Sequence, residues 1–128
     1  MEGKMLNSNL EPYATWTFSK SCKVPSDVQG MLIVGEKPVC AYKTIRDIAI
    51  FTNKRLIVRD SKGVTGQKVE IYTVPYGSIV MYSTENAGKI FDSTSEIGLV
   101  TLVGYIKINL DKSVDVREID KVLATYIL

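Results

Sequence analysis

The chain has 128 residues, of which 45% are apolar and 23% charged, and its formal net charge is +2. These values are typical of one ordinary globular domain, so they exclude a disordered chain, a collagen-like repeat and a disulfide-rich scaffold. The sequence contains no histidine. Mechanisms that require an imidazole base or metal ligand, among them Ser-His-Asp and Cys-His catalysis, are therefore excluded.

The two cysteines, Cys22 and Cys40, are too few for a structural zinc site, which takes about four ligands. One disulfide between them is possible by count, but the apolar neighbours of Cys40 favour a small buried side chain. We predict no metal and no cofactor. Because the first ten residues lack the apolar run of a signal peptide, and no apolar stretch approaches the ~20 residues of a spanning helix, we expect a cytoplasmic protein.

We predict an N-terminal extension, residues 1–25, followed by a single domain, residues 26–128. The alternation in Tyr13–Phe18 predicts either a short extra strand or a tail held by its aromatic side chains. Ser26 and Gln29 then have the spacing of a capping box, which predicts a short amphipathic helix. We expect the domain to fold without residues 1–20.

From residue 38 to residue 110 the sequence consists of short runs in which apolar and polar residues alternate, the pattern of half-buried strands. Asn53-Lys54 is a two-residue connection typical of a tight hairpin, and Ser61–Gln67 has the composition of a loop. Pro75 predicts an edge, a bulge or a bend, because proline cannot donate to a strand ladder. The seven predicted strands are Val39–Arg46, Asp47–Thr52, Arg55–Asp60, Lys68–Thr73, Ser78–Ala87, Glu96–Val103 and Tyr105–Leu110.

The hydrophobic period changes near the C-terminus, where six apolar residues recur at steps of three and four, as on one face of a helix. They are Val116, Ile119, Val122, Leu123, Tyr126 and Ile127. Asp115 and Glu118 have capping-box spacing, and their negative charge suits a helix N-terminus. We predict a C-terminal helix that covers an open end of the strands, with Ile119 and Leu123 most deeply buried.

Several segments of this sequence resemble the bacterial PH-like (pleckstrin-homology-like) domains, from about residue 26 to residue 128. The matching stretches are Gly35–Lys37, Ala41–Lys43, Ile45–Asp47, Phe51–Ile57, Gly63–Glu70, Val74–Tyr76, Ser83–Gly88 and Val114–Ile119. The resemblance implies a mainly β fold: a seven-stranded antiparallel, partly open barrel or sandwich capped by the C-terminal helix. It also implies a scaffold without catalytic residues whose members are associated with ring-like homo-oligomers. A fold alone assigns no lipid ligand.

The charges of the chain are unevenly distributed. Residues 37–68 contain eight basic and two acidic residues, a net charge of +6, whereas residues 69–128 have a net charge of −3. This basic segment predicts either a surface that binds anions such as phospholipid headgroups or simply a solvated strand face. The candidate anion-binding residues are Lys43, Arg46, Lys54, Arg55 and Arg59.

Other ligand classes fit the sequence less well. The turn Thr44–Ile48 is too short and too weakly basic to grip a multiply phosphorylated headgroup, so specific phosphoinositide binding is not expected. The net charge and the absence of an aromatic platform argue against nucleic acid. Glu85, Asp92 and Glu96 form no convergent acid–base site, so we predict no catalytic residues and no enzyme.

Two functions remain after these exclusions. The first is a non-enzymatic interaction or scaffold module that works as a homo-oligomer, in a ring or with other protein partners, through exposed strand edges and unlike charged surfaces. The alternative is a peripheral membrane module that binds anionic phospholipid headgroups through a basic sheet face.

Overall fold

The structure, a computed structural model, describes residues 11–62, 68–85 and 94–128, in which nine strands form two sheets. The strands are β1 (Ala14–Phe18), β2 (Lys20–Ser21), β3 (Pro38–Lys43), β4 (Asp47–Thr52), β5 (Arg55–Lys62), β6 (Lys68–Pro75), β7 (Ile79–Glu85), β8 (Ser95–Thr101) and β9 (Gly104–Leu110), and the helices are α1 (Ser26–Gln29) and α2 (Val116–Ile127). A four-stranded sheet has the order β1-β9-β8-β7, and a five-stranded sheet has the order β2-β3-β4-β5-β6.

The seven strands predicted from the sequence are confirmed as β3 to β9, and every neighbouring pair among them is antiparallel. The two sheets are not closed into a barrel, so the sandwich form of the expected fold is the one adopted. Asn53-Lys54 connects β4 to β5, and Pro75 ends the edge strand β6. The loop predicted at Ser61–Gln67 begins later, because Ser61 and Lys62 continue β5. Residues 63–67 and 86–93, which include Asp92, lie outside the described residues.

Two short strands precede these seven. β1 runs parallel to β9, and β2 pairs with the end of β3, so residues 14–21 pass from one sheet to the other. The period-2 alternation buries Trp16 and Phe18, while Thr15 and Thr17 remain exposed. The division of domains at residue 25 stays a prediction. Deletion of residues 1–20 removes Trp16 and Phe18 from the main core, so, contrary to the expectation from sequence, it should destabilise the protein.

The five-stranded sheet carries apolar side chains on both faces. Its inner face packs against the other sheet and α2 in the main core, which includes Phe51, Leu56 and Val58. Its outer face forms a second cluster of Val28, Ala41, Ile50 and Ile57, against which Cys22, Val24, Leu32, Ile48 and Ile71 are packed. The chain from Cys22 to Glu36, which we call the strap, contributes Val28 to this cluster and so covers the outer face.

The short helix predicted at Ser26 consists of the four residues Ser26–Gln29, and its expected capping box does not form. Pro25 occupies the N-cap of α1, Ser26 is already helical, and no side chain caps the helix. A turn continues the chain, because the backbone amide of Met31 donates to the carbonyl of Val28 at 2.9 Å. Apolar burial by Val28 therefore holds this segment on the sheet rather than helix capping.

The C-terminal helix forms where it was predicted, but its capping box does not, because the Glu118 carboxylate accepts a hydrogen bond from the Tyr42 hydroxyl instead. Asp115 is the N-cap of α2 and accepts a hydrogen bond from the backbone amide of Arg117 at 3.0 Å. Ile119 and Leu123 are completely buried, and Tyr126 stacks on Tyr76 with ring centroids 6.3 Å apart. The helix therefore closes one end of the sandwich, as the spacing of its apolar residues indicated.

The two cysteines lie on opposite faces of the five-stranded sheet. Cys22 packs against the outer cluster and Cys40 against the main core, and both are free and half-buried. Burial raises the pKa of the Cys40 thiol to about 11. Because a strand layer separates the two side chains, the disulfide that the count allowed does not form.

Leu123→Ala should lower the free energy of unfolding by about 2–5 kcal/mol, because it leaves a cavity in the main core. Urea unfolding followed by tryptophan fluorescence measures this change, with exposed Lys121→Ala on the same helix as the control. A Leu123→Ala protein as stable as the Lys121→Ala protein would mean that α2 does not contribute to the core.

Candidate functional site

The strap is joined to the β4–β5 hairpin by a buried carboxylate. Glu36, whose side chain has no exposed surface, pairs with Arg55: Nε donates to Oε2 at 2.8 Å and Nη2 donates to Oε1 at 3.0 Å. Thr52 Oγ1 donates to Oε2 at 2.8 Å, and the Ile33 backbone amide donates to Oε1 at 3.1 Å. Both carboxylate oxygens are thus satisfied by a bidentate pair and two further donors, which is the condition for a stable buried charge.

These donors have an electrostatic consequence. The Arg55 guanidinium, and after it the hydrogen bonds from Ile33 and Thr52, lower the pKa of Glu36 to about 2, against the opposing effect of desolvation. Glu36 therefore stays ionised at any physiological pH. The arrangement is a structural fastening, which we call the Glu36–Arg55 lock.

Asn53, at the tip of the hairpin, completes the attachment. Its Oδ1 accepts from the Lys37 amide at 2.8 Å, and its Nδ2 donates to the Gly35 carbonyl at 3.0 Å. Gly35 has φ = +81°, a backbone conformation that glycine adopts without strain. Two of the segments that carried the family resemblance, Gly35–Lys37 and Phe51–Ile57, are therefore the two sides of one contact.

A cationic depression lies at the other end of the five-stranded sheet, between the β3–β4 turn, β2 and β5. It has a volume of about 550 Å³ and is lined by Ser19, Lys20, Lys43, Thr44, Ile45, Arg46, Ile48, Arg59 and Ser61. Lys20 lies opposite Lys43 in the β2–β3 register. Like charges opposite each other on neighbouring strands repel. An anion bound in this depression would reduce the repulsion between the two lysines.

The five basic residues predicted to bind anions do not form one surface. Lys43, Arg46 and Arg59 line the cationic depression, whereas Lys54 and Arg55 lie at the opposite end of β4, a strand of about 17 Å. The guanidinium of Arg55 is held by Glu36, and its Nη1 donates to Thr73 Oγ1 at 3.1 Å. Anion binding therefore stays a prediction for three of the five residues, and the geometry separates the other two from them.

Lys20 and Ile45 are members of the depression that the sequence reasoning did not select. Lys20 reaches it only because β2 pairs with β3, a long-range pairing that leaves no local sequence signal. Ile45 is 99% exposed at the tip of the β3–β4 turn. An apolar residue between Lys43 and Arg46 in a turn is the one feature of the sequence that could have drawn attention to it.

Arg59 joins the depression to the strap. Its Nε donates to Asp27 Oδ2 at 2.8 Å, and its Nη1 donates to Ser61 Oγ at 3.1 Å. The hydrogen bond from Arg59 lowers the pKa of the exposed Asp27 carboxyl. The strap is thus attached to β5 at two points, by Asp27 at one end and by Glu36 at the other.

A third feature is the edge strand β7. It pairs with β8 on one side, and none of the described strands pairs with its other side. Its seven residues contain one charge, Glu85 at the end, while Val80 is 62% and Met81 50% exposed. Edge strands of monomeric proteins usually carry charges or proline that prevent pairing between molecules. β7 has no proline and one terminal charge, and a register shift between Ile79 and Met81 interrupts its pairing with β8 near its start.

The described residues bring acidic side chains together in cross-strand pairs, Glu85 with Glu96 and Asp47 with Asp60. They contain no group of three or more carboxylates and thiols placed to hold a metal ion. Asp47 faces Asp60 across β4 and β5, and burial together with this neighbour raises the pKa of Asp47. Asp60 accepts a hydrogen bond from Trp16 Nε1 at 3.4 Å. The Trp16–Asp60 hydrogen bond joins β1 to the five-stranded sheet. Beside it the Trp16 and Tyr72 rings are in contact, with centroids 5.2 Å apart, so Asp60 has a structural role.

Comparison with known proteins identifies the family. The sequence matches the family described as bacterial PH domain over residues 9–127, a range that includes β1 and β2. This chain belongs to the bacterial PH domain family. Its resemblance therefore begins earlier than residue 26.

Two solved bacterial PH domains have the same fold. A crystal structure of a DUF1696 family protein with a pleckstrin-homology domain from Shewanella loihica PV-4 has a TM-score of 0.75 and 35% sequence identity, and covers 86% of this chain and 99% of that one. The pleckstrin-homology domain from Shewanella amazonensis SB2B has a TM-score of 0.65 and 37% identity, with coverages of 80% and 84%.

The curated relatives of this bacterial PH domain are uncharacterised proteins of Bacillus subtilis strain 168. YozO is 30% identical over 100 residues, which are 78% of this chain and 86% of YozO. YjqA is 45% identical over 74 residues, which are 58% of each chain, so the aligned part spans little more than half of YjqA. No helix in the described ranges is long and apolar enough to cross a bilayer.

The Glu36–Arg55 lock predicts an acid-dependent stability. Because the pKa of Glu36 is about 2 in the folded protein and 4.5 ordinarily, its contribution is present above pH 4.5 and disappears as the pH falls towards 2. Glu36→Gln should cost about 3 kcal/mol at pH 7, since it leaves Arg55 without its partner. The difference from wild type should shrink between pH 5 and pH 2.

Urea unfolding at a series of pH values measures both effects. Exposed Glu11→Gln is the matched control and should change stability little at any pH. A wild-type advantage over Glu36→Gln that remains constant down to pH 2 would contradict the assignment of the charge to the lock.

Proposed function

We propose that this bacterial PH domain is a non-enzymatic interaction module that works as a homo-oligomer in the cytoplasm, and that other proteins are a further class of partner. The observation that carries the proposal is the unpaired edge of β7, a strand of seven residues with exposed Val80 and Met81 in its first half and a single charge, Glu85, at its end. A second copy of this chain is the occupant that we assign to it.

The composition of β7 favours pairing with itself. Antiparallel addition of one β7 to another would join two four-stranded sheets through backbone hydrogen bonds. The exposed apolar surface of Val80 and Met81 would be buried in this contact. Along most of the strand there are no like charges that would repel each other across it. Such a contact uses the same surface on both copies, as in a dimer with twofold symmetry.

A second contact is needed for a ring. The basic segment 37–68 and the acidic segment 69–128 give different parts of one chain opposite charge, which suits a head-to-tail contact. Unlike surfaces that pair in this way close into a ring when the rotation between copies permits. The resemblance to bacterial PH-like domains, whose members are associated with ring-like homo-oligomers, supports the same proposal.

Size-exclusion chromatography with light scattering tests the oligomer. At micromolar concentration the wild-type particle should have a mass several times 14.2 kDa. Met81→Lys should reduce it, because lysine on an edge strand opposes pairing. Val34→Lys makes the same type of change at a loop residue that is 99% exposed, and it should leave the mass unchanged.

Thermal melts of both variants establish that they are folded. A monomeric wild-type protein would contradict self-association altogether. A wild-type oligomer that Met81→Lys leaves intact would instead exclude the β7 contact.

The cationic depression favours a second candidate function, a peripheral membrane module that binds anionic phospholipid headgroups. Lys20, Lys43, Arg46 and Arg59 line one concave surface together with Thr44 and Ser61, whose hydroxyl groups can donate to phosphate oxygens. The exposed Ile45 beside them suits the apolar boundary of a bilayer better than a soluble anion. Each basic residue near an anionic surface contributes about 1 kcal/mol, reduced by salt.

Co-sedimentation with phosphatidylglycerol vesicles at low salt tests this function. Lys43→Gln together with Arg46→Gln should weaken binding by about 10- to 30-fold, because two contributions of about 1 kcal/mol are lost. Lys37→Gln together with Lys54→Gln removes the same two charges at the opposite end of the sheet, and this control should have a smaller effect. Equal losses in the two proteins would indicate binding by net charge alone, and no wild-type binding would exclude the membrane module.

A further inference from the structure

Arg59 is the one cation of the depression with a carboxylate partner that belongs to another element of the described structure. Asp27, in α1 of the strap, accepts from Arg59 Nε at 2.8 Å, while Ser61, which lines the depression, accepts from Nη1 at 3.1 Å. The side chain of Arg59 is 24% exposed and that of Asp27 54% exposed. Asp27 therefore supplies a negative charge at the margin of a surface otherwise lined by four cations.

We propose that Asp27 is a specificity-determining residue of the cationic depression, which competes with anionic ligands for Arg59 and so restricts the depression to anionic bilayers. This inference rests on the second candidate function, the membrane module. A single dissolved phosphate must displace Asp27 to reach Arg59. A bilayer presents many headgroups, so it can engage Lys20, Lys43 and Arg46 at once.

The strength of the Asp27–Arg59 pair fits this competition. Pairs between exposed side chains are weak, because solvent screens the charges and both side chains lose freedom when they pair. A headgroup of a bilayer that the other three cations already hold can therefore replace the Asp27 carboxylate without a large loss of free energy, whereas a single dissolved phosphate lacks this prior attachment. A pair with a fully buried carboxylate, such as Glu36–Arg55, would not exchange in this way.

Exchange at Asp27 also leaves the fold in place. Val28, the residue after Asp27, is completely buried in the outer cluster, and the strap remains held by the Glu36–Arg55 lock. The effect of Asp27 is thus confined to the charge of the depression, and the removal of its carboxylate should not release the strap.

Vesicle co-sedimentation with Asp27→Asn tests the proposal directly. Affinity for phosphatidylglycerol vesicles at low salt should rise about fivefold, equivalent to the ~1 kcal/mol of one additional available cation. Glu11→Gln removes the same charge from an exposed position before β1, and it should raise affinity less. In an Arg59→Gln background, Asp27→Asn should give no more than the Glu11→Gln increase.

Three results of the vesicle co-sedimentation of these variants would overturn the inference. If Asp27→Asn and Glu11→Gln increase affinity equally while Lys43→Gln and Arg46→Gln weaken binding, the depression binds bilayers but Asp27 does not control it. If Asp27→Asn has its full effect without Arg59, the competition is wrong. If neither wild type nor Asp27→Asn binds vesicles at all, the membrane function fails with the inference.

A competition experiment distinguishes binding to a bilayer from binding to free phosphate. Inorganic phosphate should reduce vesicle binding of the wild type no more than sodium chloride of equal ionic strength does. Stronger inhibition by phosphate would overturn the restriction to bilayers. Urea unfolding of Asp27→Asn near wild-type stability would support a role in binding, and a large loss would overturn it in favour of a structural role.

Discussion

The five-stranded sheet is apolar on both of its faces, and this constraint determines much of the remaining structure. One face is covered by the second sheet and α2, but the other would expose Ile50 and Ile57 to water without the strap. The strap is short and contains a helix of four residues, so local helix stability cannot hold it. The buried Glu36–Arg55 lock supplies a fixed attachment, and apolar burial of Val28 supplies much of the free energy.

This requirement assigns different roles to basic residues that look equivalent in the sequence. Arg55, Ile57 and Arg59 alternate along β5 and lie on the covered face, so each arginine is within reach of the strap. Arg55 pairs with the buried carboxylate of Glu36 and has a structural role. Arg59 meets an exposed one at the margin of the cationic depression, where its charge is still available to the surface. Burial of the partner carboxylate is what separates a structural arginine from a candidate binding arginine.

The separation also explains where function can reside in this bacterial PH domain. One end of the five-stranded sheet is occupied by the lock and the Asn53 contacts, whereas the other end carries the cationic depression. The β7 edge belongs to the other sheet, far from the strap in chain order. The two proposed functions would thus use different surfaces, and one does not exclude the other.

The sequence predicted those features that depend on local pattern. The alternation of Ile106, Ile108 and Leu110 predicts β9. Asn53-Lys54 indicates the β4–β5 hairpin, and Asp115 together with the apolar spacing of α2 indicates the last helix. The features that it did not predict arise from pairs distant in the chain. Glu36 and Arg55 are 19 residues apart, and nothing in their local sequence shows that they meet.

The same distinction explains the errors. Ser26 had the spacing of a cap, but the apolar contacts of Val28 set the position of the turn and left Pro25 at the N-cap. Lys20 joined the depression through the β2–β3 pairing, which its neighbours in sequence do not indicate. Local pattern therefore predicted the strands of this fold well, whereas its charged contacts followed from tertiary packing.

A double-mutant cycle between Glu36 and Arg55 tests the central claim that this pair fastens the strap. Urea unfolding of wild type, Glu36→Gln, Arg55→Gln and the double variant gives the coupling free energy between the two side chains. We predict a coupling of about 2–3 kcal/mol at pH 7, since each single variant leaves one charged group without its partner. A coupling below about 0.5 kcal/mol would show that the two residues act independently and would contradict the account.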